Sequence, residues 1–516
     1  MYLEEKNMKY DILIVGGGSS GWMTASTLLK EFPNKTIGLI ESPEISTVGV
    51  GESTIATIQE WTSYIGIDHR EFLKHTDGSY KLSIHFTDFY KKGEGFYYPF
   101  GSPHISENLT GLGDWYFKKM IYPETPRTDY ADCLYPQMAL VNQNKCFYNE
   151  DNRLPTFNFD KETAFHFDAT KFGLWLRDYY CLPRGLVHIK EHINTIEQDE
   201  SGIKSLNGKH EAELYIDCTG FSSVLLGKTL KVPFESYSDI LPNNSAWATK
   251  IPYNDKRKQL VSYTDCRAVE NGWIWTIPLW SRIGTGYVYS DKFIDDDGAL
   301  KQFKKHLGTD ELEFKKIKMR VGIHEKLWEK NVVAIGLAGG FIEPLESNGL
   351  FTVHDFLKGL IIVLKEDKIS QFKKDNFTWR SKTVFRNFAE FVALHYALSQ
   401  RTDTEYWKAN FNRRWDEKLI NLKKDTDIRG FLYLTHSKYV LHSFRDGGGM
   451  DCIATGMHYD PMDLSECKWE WQTTEQELAK KWQPYITKMN ERKEEWKNSV
   501  EDIPELYDFL KQNVHT

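Results

Sequence analysis

Tyr10-Asp11-Ile12-Leu13-Ile14-Val15-Gly16-Gly17-Gly18-Ser19-Ser20-Gly21-Trp22 is the stretch on which the reading turns. Tyr10 to Val15 is short, apolar and rich in Ile, Leu and Val, the composition of a strand buried on both faces. It runs straight into a glycine turn, after which Trp22 to Lys30 takes up the apolar spacing of a helix. A second buried strand, Thr36 to Ile40, stops at Glu41, about twenty residues past the last glycine. Strand, turn, helix and strand make a βαβ unit, so the fold class is α/β. In such a unit the glycines let the backbone turn tightly and approach a pyrophosphate, whose charge the free N–H groups and dipole of the helix N-terminus favour. Gly16, Gly18, Ser19, Ser20 and Gly21 are therefore expected to hold a dinucleotide, with Glu41 accepting hydrogen bonds from its ribose.

Outward from this unit, the middle of the chain is strand-rich. Leu186 to Ile196, Glu211 to Asp217, Leu260 to Asp265, Gly272 to Pro278 and Gly284 to Tyr289 alternate or run apolar between turn signals, and Val332 to Gly336 is another buried strand entering a turn. Beyond Gly349 the period changes to about 3.6, predicting helices over Val353–Lys365, Lys382–Gln400 and Asp403–Lys423. Asp446-Gly447-Gly448-Gly449 reads as a flexible loop. Two regions are expected, 8–350 for the nucleotide-binding module with inserted strands and 351–516 for a mostly helical region packed on it.

A length of 516 residues with 41% hydrophobic and 27% charged residues excludes a disordered or fibrous chain. Basic residues number 65 against 73 acidic, a net charge of −8, so nucleic acid is not an expected partner. The 16 Trp, 27 Tyr and 30 Phe make aromatic ligands worth considering. Seven scattered cysteines without a CxxC pair indicate neither a disulfide framework nor a metal site, which fits a reducing cytoplasm. No apolar run approaches the roughly 20 residues of a membrane span, and the N-terminus lacks the order of a signal peptide.

Gly18-Ser19-Ser20-Gly21-Trp22, followed by Val48-Gly49-Val50-Gly51-Glu52-Ser53-Thr54, resembles the opening of flavin-dependent halogenases of the tryptophan-halogenase type. Gly272-Trp273-Ile274-Trp275-Thr276-Ile277-Pro278 matches the WxWxIP signature of these enzymes, and Phe341 to Gly349 is similar to their EPLES(T)G segment. Phe165-His166-Phe167-Asp168, Asp217-Cys218-Thr219-Gly220-Phe221, and His395-Tyr396 with Arg401, Asp403 and Trp407 also fall where that family has similar strings. The resemblance spans roughly Tyr10 to Trp407.

What it implies is an FAD-binding, Rossmann-type (monooxygenase-like) domain with an inserted β-sheet and a mostly helical C-terminal region. Reduced FAD, O2 and a halide would yield hypohalous acid, which passes through a tunnel to a lysine. The matching lysine is Lys81, which would polarise the oxidant or become a haloamine. Read without the resemblance, Lys81 is a solvated surface charge. Glu346 matches the family's glutamate that holds the oxidant and removes the proton from the arenium intermediate. Gly51, Leu337 and Leu350 join the cofactor contacts, and Asn348 and Gly349 the halide turn, with Asn348 standing where the family usually has Thr. Trp273, Trp275 and Ser347 would line the tunnel, and Tyr98, Phe100 and His104 the substrate side. The family's clamps for the amino-acid end of tryptophan have no clear match in Tyr433–Met457, so an indole or phenol is expected as substrate, and bromide or iodide as preferred halide. No NAD(P)H motif accompanies the FAD fingerprint, so a separate flavin reductase is expected; a homo-oligomer stays open. Two alternatives remain: an FAD-dependent aromatic hydroxylase, against which WxWxIP and Lys81 speak, and a non-catalytic FAD-binding protein.

Overall fold

The computed structural model describes residues 8–45, 49, 51–104, 112–413, 448–458, 465, 468–469 and 472–516. Val48 and Val50 of the second glycine string, Asp446 and Gly447, and 433–447 of the region compared with the tryptophan clamps lie outside them. The chain forms two compact units that interleave along the sequence: 1–78, 166–248 and 315–389 make the first, and 79–165, 249–314 and 390–516 the second. The residue-350 boundary expected from the change of periodicity falls inside the first unit. Periodicity reports which element forms, whereas unit membership depends on which apolar face each element covers.

The first unit is built on the sheet Trp328–Glu329, Val332–Ala334, His210–Asp217, Met8–Val15, Ile37–Glu41, Val187–Lys190, in that spatial order. All neighbours are parallel except the first pair. Val15 pairs with both Ile40 and Asp217, so the strand bearing the glycine turn is central. Ile12, Leu13, Ile14 and Val15 are buried, as a strand covered on both faces requires. The helix begins at Ser19, earlier than its apolar spacing suggested, and ends at Glu31. Its buried hydroxyls stay compatible with a helix by bonding back one turn: Thr24 to the Ser20 carbonyl at 2.7 Å, Ser26 to Trp22 at 2.8 Å and Thr27 to Met23 at 2.9 Å. The expected strand Leu186–Ile196 is two strands, Val187–Lys190 and Ile196–Asp199.

The second unit carries an antiparallel-rich run of strands, Ile283–Tyr289, Gly272–Pro278, Tyr263–Val269, Ser83–Thr87 and Gly95–Pro99. Several of the family-like strings serve here as struts. The Arg401 guanidinium pairs with Asp403, donates to the Asp88 carbonyl at 3.1 Å, and lies 4.5 Å from the Trp407 ring centre. Hydrogen bonding to Arg401 holds the Asp403 carboxyl well below the usual carboxylate range. Trp407 in turn donates from Nε1 to Val269 at 2.7 Å. The helix expected over Asp403–Lys423 runs Glu405–Phe411, capped by Thr404, with 414–423 outside the described residues. Gly448 and Gly449 open a helix, Gly448–Gly456, rather than completing a loop. No helix among the described residues is long and apolar enough to cross a membrane.

Candidate active site

Parallel strands end together, and in the first unit those ends are Val15, Glu41, Asp217 and Ala334. This edge is where α/β sheets bind nucleotides. Each glycine of the turn has its own steric cause. Gly16 has φ +111°, and a Cβ there would lie 2.4 Å from the Cys218 carbonyl oxygen. A Cβ on Gly21 would lie 1.9 Å from the Gly16 oxygen, so only glycine lets the helix approach the strand this closely. Gly18 differs: its φ is −78°, and a Cβ there would meet nothing within 4 Å. Nothing in the fold therefore requires glycine at position 18, and the open space above it faces the N-terminus of a helix whose first turn holds no acid.

Glu41 ends the neighbouring strand with a carboxylate packed against Gly17 and bonded to His188 Nε2 at 2.8 Å. Opposite, Leu337 sits in the short helical turn Gly336–Ala338, where Gly336 has φ +68° and leaves room for Ser20. These residues fit a dinucleotide: an open cradle at Gly18, free helix N–H groups at Ser19, Ser20 and Gly21, and an acid at the second strand's end. His188 and Gly336 were missed in the sequence, since neither lies near the glycine turn in the chain.

A second concave turn lies in the same unit. Pro344–Glu346 is a short helical turn that delivers Glu346, 1% exposed, and Ser347, held at φ +57°. The strained Ser347 is anchored by its hydroxyl to Ser53 Oγ at 3.1 Å. Ser53 is itself bridged to His166, and Phe167 donates to the Glu52 carbonyl at 2.9 Å. Gly51 precedes this anchored segment and is exposed. Asn348 is the N-cap of the Gly349–Leu364 helix but makes no side-chain cap bond, and its Oδ1 is buried without a partner. Gly349 is open on its side-chain face, and Leu350 in the first turn is buried. A helix N-terminus with its donors uncapped and an open position beside it fits a small anion.

In the second unit, Lys81 is fully buried, which overturns its reading as a solvated surface charge. The backbone around it explains how: Leu82 donates to Ser262 at 2.7 Å, and Phe100 donates to the Leu82 carbonyl at 2.9 Å, clamping the Ser79–Lys81 strand on both sides. Lys81 Nζ stands 4.9 Å from the Phe100 ring centre, a cation–π contact away from water. Phe100 meets Tyr98 edge-on at 6.0 Å, and Tyr98 meets Phe391 at 6.2 Å. The row Lys81, Phe100, Tyr98 thus brings together three of the residues expected from the sequence. His104 is not in that row; it packs on Trp496 at 5.7 Å and contacts Thr156 at 3.2 Å. Trp273 and Trp275 lie 6.1 Å apart on the Gly272–Pro278 strand, and Trp273 Nε1 is a buried donor without a partner.

The geometry is that of a flavoenzyme with a buried lysine, and the comparisons place it. The tryptophan halogenase family description matches residues 11–430. The tryptophan 6-halogenase SttH of Streptomyces toxytricini is 34% identical over 424 residues, covering 77% of this chain and 80% of its own. The solved structure of VirX1 superposes with a TM-score of 0.87 at 34% identity over 99% of this chain and all of that one. Tar14, a tryptophan C-6 flavin-dependent halogenase from taromycin biosynthesis, does so with a TM-score of 0.83 at 27% identity over 98% of this chain and 99% of that one. The chain belongs to the tryptophan halogenase family, and it is a flavin-dependent halogenase, an oxidoreductase, with the α/β fold expected.

Proposed function

We propose that the protein halogenates an electron-rich aromatic, an indole or a phenol, by electrophilic substitution through Lys81. The observation that carries this is an ammonium group fully buried at the head of an aromatic row. When bound in reduced form, FAD supplies with O2 the two-electron oxidation of halide to hypohalous acid. The cradle at Gly16–Gly21 with Glu41, Gly51, Leu337 and Leu350 holds that cofactor, and the uncapped turn at Asn348 and Gly349 holds the halide.

Lys81 Nζ donates a hydrogen bond to the oxygen of hypohalous acid and polarises its bond to halogen, or its free amine takes up the halogen as a haloamine. The aromatic carbon attacks the halogen, the O–X bond breaks, and the Lys81 ammonium gives its hydrogen-bonded proton to the departing hydroxide, which leaves as water; in the haloamine form the carbon takes the halogen from nitrogen and the N–X electron pair returns to the amine. Glu346 accepts the proton lost from that carbon, restoring aromaticity. Trp273, Trp275 and Ser347 keep the organic substrate from the flavin. Tyr98 and Phe100 offer edge and face contacts to its ring. His104 supports the segment through its packing on Trp496. Reduced flavin comes from a separate reductase.

Turnover of an indole and phenol panel with a flavin reductase, read by mass spectrometry, tests the assignment. Halogenated product supports it, and hydroxylated product would replace it with the hydroxylase reading. With chloride, bromide and iodide at equal concentration, the expected product is brominated or iodinated. Asn348 changes the wall of a small anion pocket, and larger halides are more weakly hydrated and easier to oxidise, so a loosely shaped site costs them less in desolvation. Predominantly chlorinated product would overturn the halide preference.

A further inference from the structure

Lys81 ends the short Ser79–Lys81 strand, and successive side chains of a strand leave on opposite faces. The phenol next to it in the chain, Tyr80, accordingly turns away: it is fully buried and packs on Phe159 at 4.9 Å, Phe509 at 6.2 Å and Tyr148 at 6.3 Å. On the lysine's own side stand Phe100, its ring centre 4.9 Å from Nζ, and Tyr98, which meets Phe100 edge-on at 6.0 Å. Tyr98 lies in the Gly95–Pro99 strand and Phe100 follows directly, so their side chains, two residues apart, share a face.

The two rings differ in chemistry. A benzene ring without a donor group is a poor nucleophile, so Phe100 survives beside an electrophilic halogen. The phenol oxygen of Tyr98 feeds electron density into its ring, and because the para carbon carries the side chain, an electrophile adds at one of the two ortho carbons. Tyr98 is half-buried, partly withdrawn from oxidant in bulk solvent. It is thus itself an electron-rich aromatic, of the class proposed as substrate, built into the row that leads away from Lys81.

We propose that Tyr98 is a self-halogenation site: when the row holds no substrate, halogen delivered at Lys81 passes to an ortho carbon of the Tyr98 ring. That carbon attacks the halogen, the O–X electron pair stays on oxygen, and the hydroxide takes a proton from the Lys81 ammonium and leaves as water. The proton lost from the carbon restores the ammonium, so that one hypohalous acid and one tyrosine give one halotyrosine and one water. From the haloamine form the carbon takes the halogen from nitrogen, and the N–X electron pair takes up the ring proton. This assignment rests on the halogenation reading and adds to it a covalent modification of the protein by its own oxidant.

Peptide mass spectrometry on the full-length, FAD-loaded protein tests it, after turnover with a flavin reductase, O2 and bromide and with no aromatic compound added. Bromine in place of one hydrogen is expected on the peptide holding Tyr98, at least about tenfold above that on Tyr179, the 59% exposed phenol that reports oxidant free in solution, because halogen held on a neighbouring lysine acts at high effective concentration. Lys81→Met should bring Tyr98 down to the level of Tyr179, and Tyr98→Phe should leave its own peptide unlabelled. A saturating indole or phenol that the protein brominates should protect the wild-type ring. Tyr98 labelled no more than Tyr179, label gathered on Trp273 or Trp275 instead, or labelling of Tyr98 that persists in Lys81→Met would each overturn the assignment. The two readings fail apart: a brominated indole or phenol beside an unlabelled Tyr98 sinks the self-modification alone, whereas no bromine on the protein or on any indole or phenol sinks the halogenation reading and this one with it.

Discussion

Lys81→Met is expected to abolish halogenated product, lowering turnover by more than about a thousandfold, the upper part of the range for a single group that acts on the reacting atoms. Methionine retains the length and apolar stem of lysine, so the site keeps its filling and loses only the ammonium. In the proposed mechanism Lys81 acts after the halide has been oxidised, so reoxidation of reduced flavin by O2 should proceed at the wild-type rate, and hypohalous acid should escape to solution, where a thiol or dye trap will capture it. Product formation near the wild-type rate would mean that the oxidant reaches substrate unassisted. Loss of flavin reoxidation as well would mean that Lys81 supports the fold or the cofactor site. Lys81 is fully buried, so thermal unfolding of the variant is read beside its turnover.

Gly18→Val is expected to cut FAD affinity by about a hundredfold or more while leaving the apoprotein folded. The structure makes these outcomes separable. A Cβ at Gly18 meets nothing within 4 Å and the backbone there is in a conformation any residue adopts, so the substitution is expected to leave the fold of the apoprotein unstrained. The same side chain occupies the space a pyrophosphate must enter. Gly21→Ala, whose Cβ would sit 1.9 Å from a backbone oxygen, should instead lower the melting temperature with or without flavin. Titration with FAD followed by flavin fluorescence, beside thermal unfolding of both apoproteins, reads each effect. Unchanged FAD affinity in Gly18→Val would place the cofactor elsewhere.

The nucleotide-binding unit was legible because its signals are local. Two apolar strands, a glycine turn and an acid lie within Tyr10–Glu41, and their period and spacing report the βαβ unit without reference to the rest of the chain. The WxWxIP strand was legible for the same reason and appears at Gly272–Pro278 as expected. Less legible were the ends of helices, where an N-cap such as Thr404 starts the helix at Glu405, later than apolar spacing suggests. His188, Gly336 and Ser53 escaped notice as site residues because each acts through a partner far away in sequence: Glu41, Ser20 and Ser347.

From the sequence alone came the α/β class, the dinucleotide cradle and the family, each carried by residues within a few turns of one another. Only the tertiary structure decided what two charged residues are. Lys81 and Asp451 have the composition of surface groups, and lysine and aspartate are ordinarily exposed. The clamping of Leu82 between Ser262 and Phe100 withdraws Lys81 from solvent, and a helix whose glycines close onto Phe96 and Tyr98 half-buries Asp451, which no lysine, arginine or histidine among the described residues pairs with. Both positions lose exposure to solvent because segments distant in the chain pack there, which no local stretch of sequence reports.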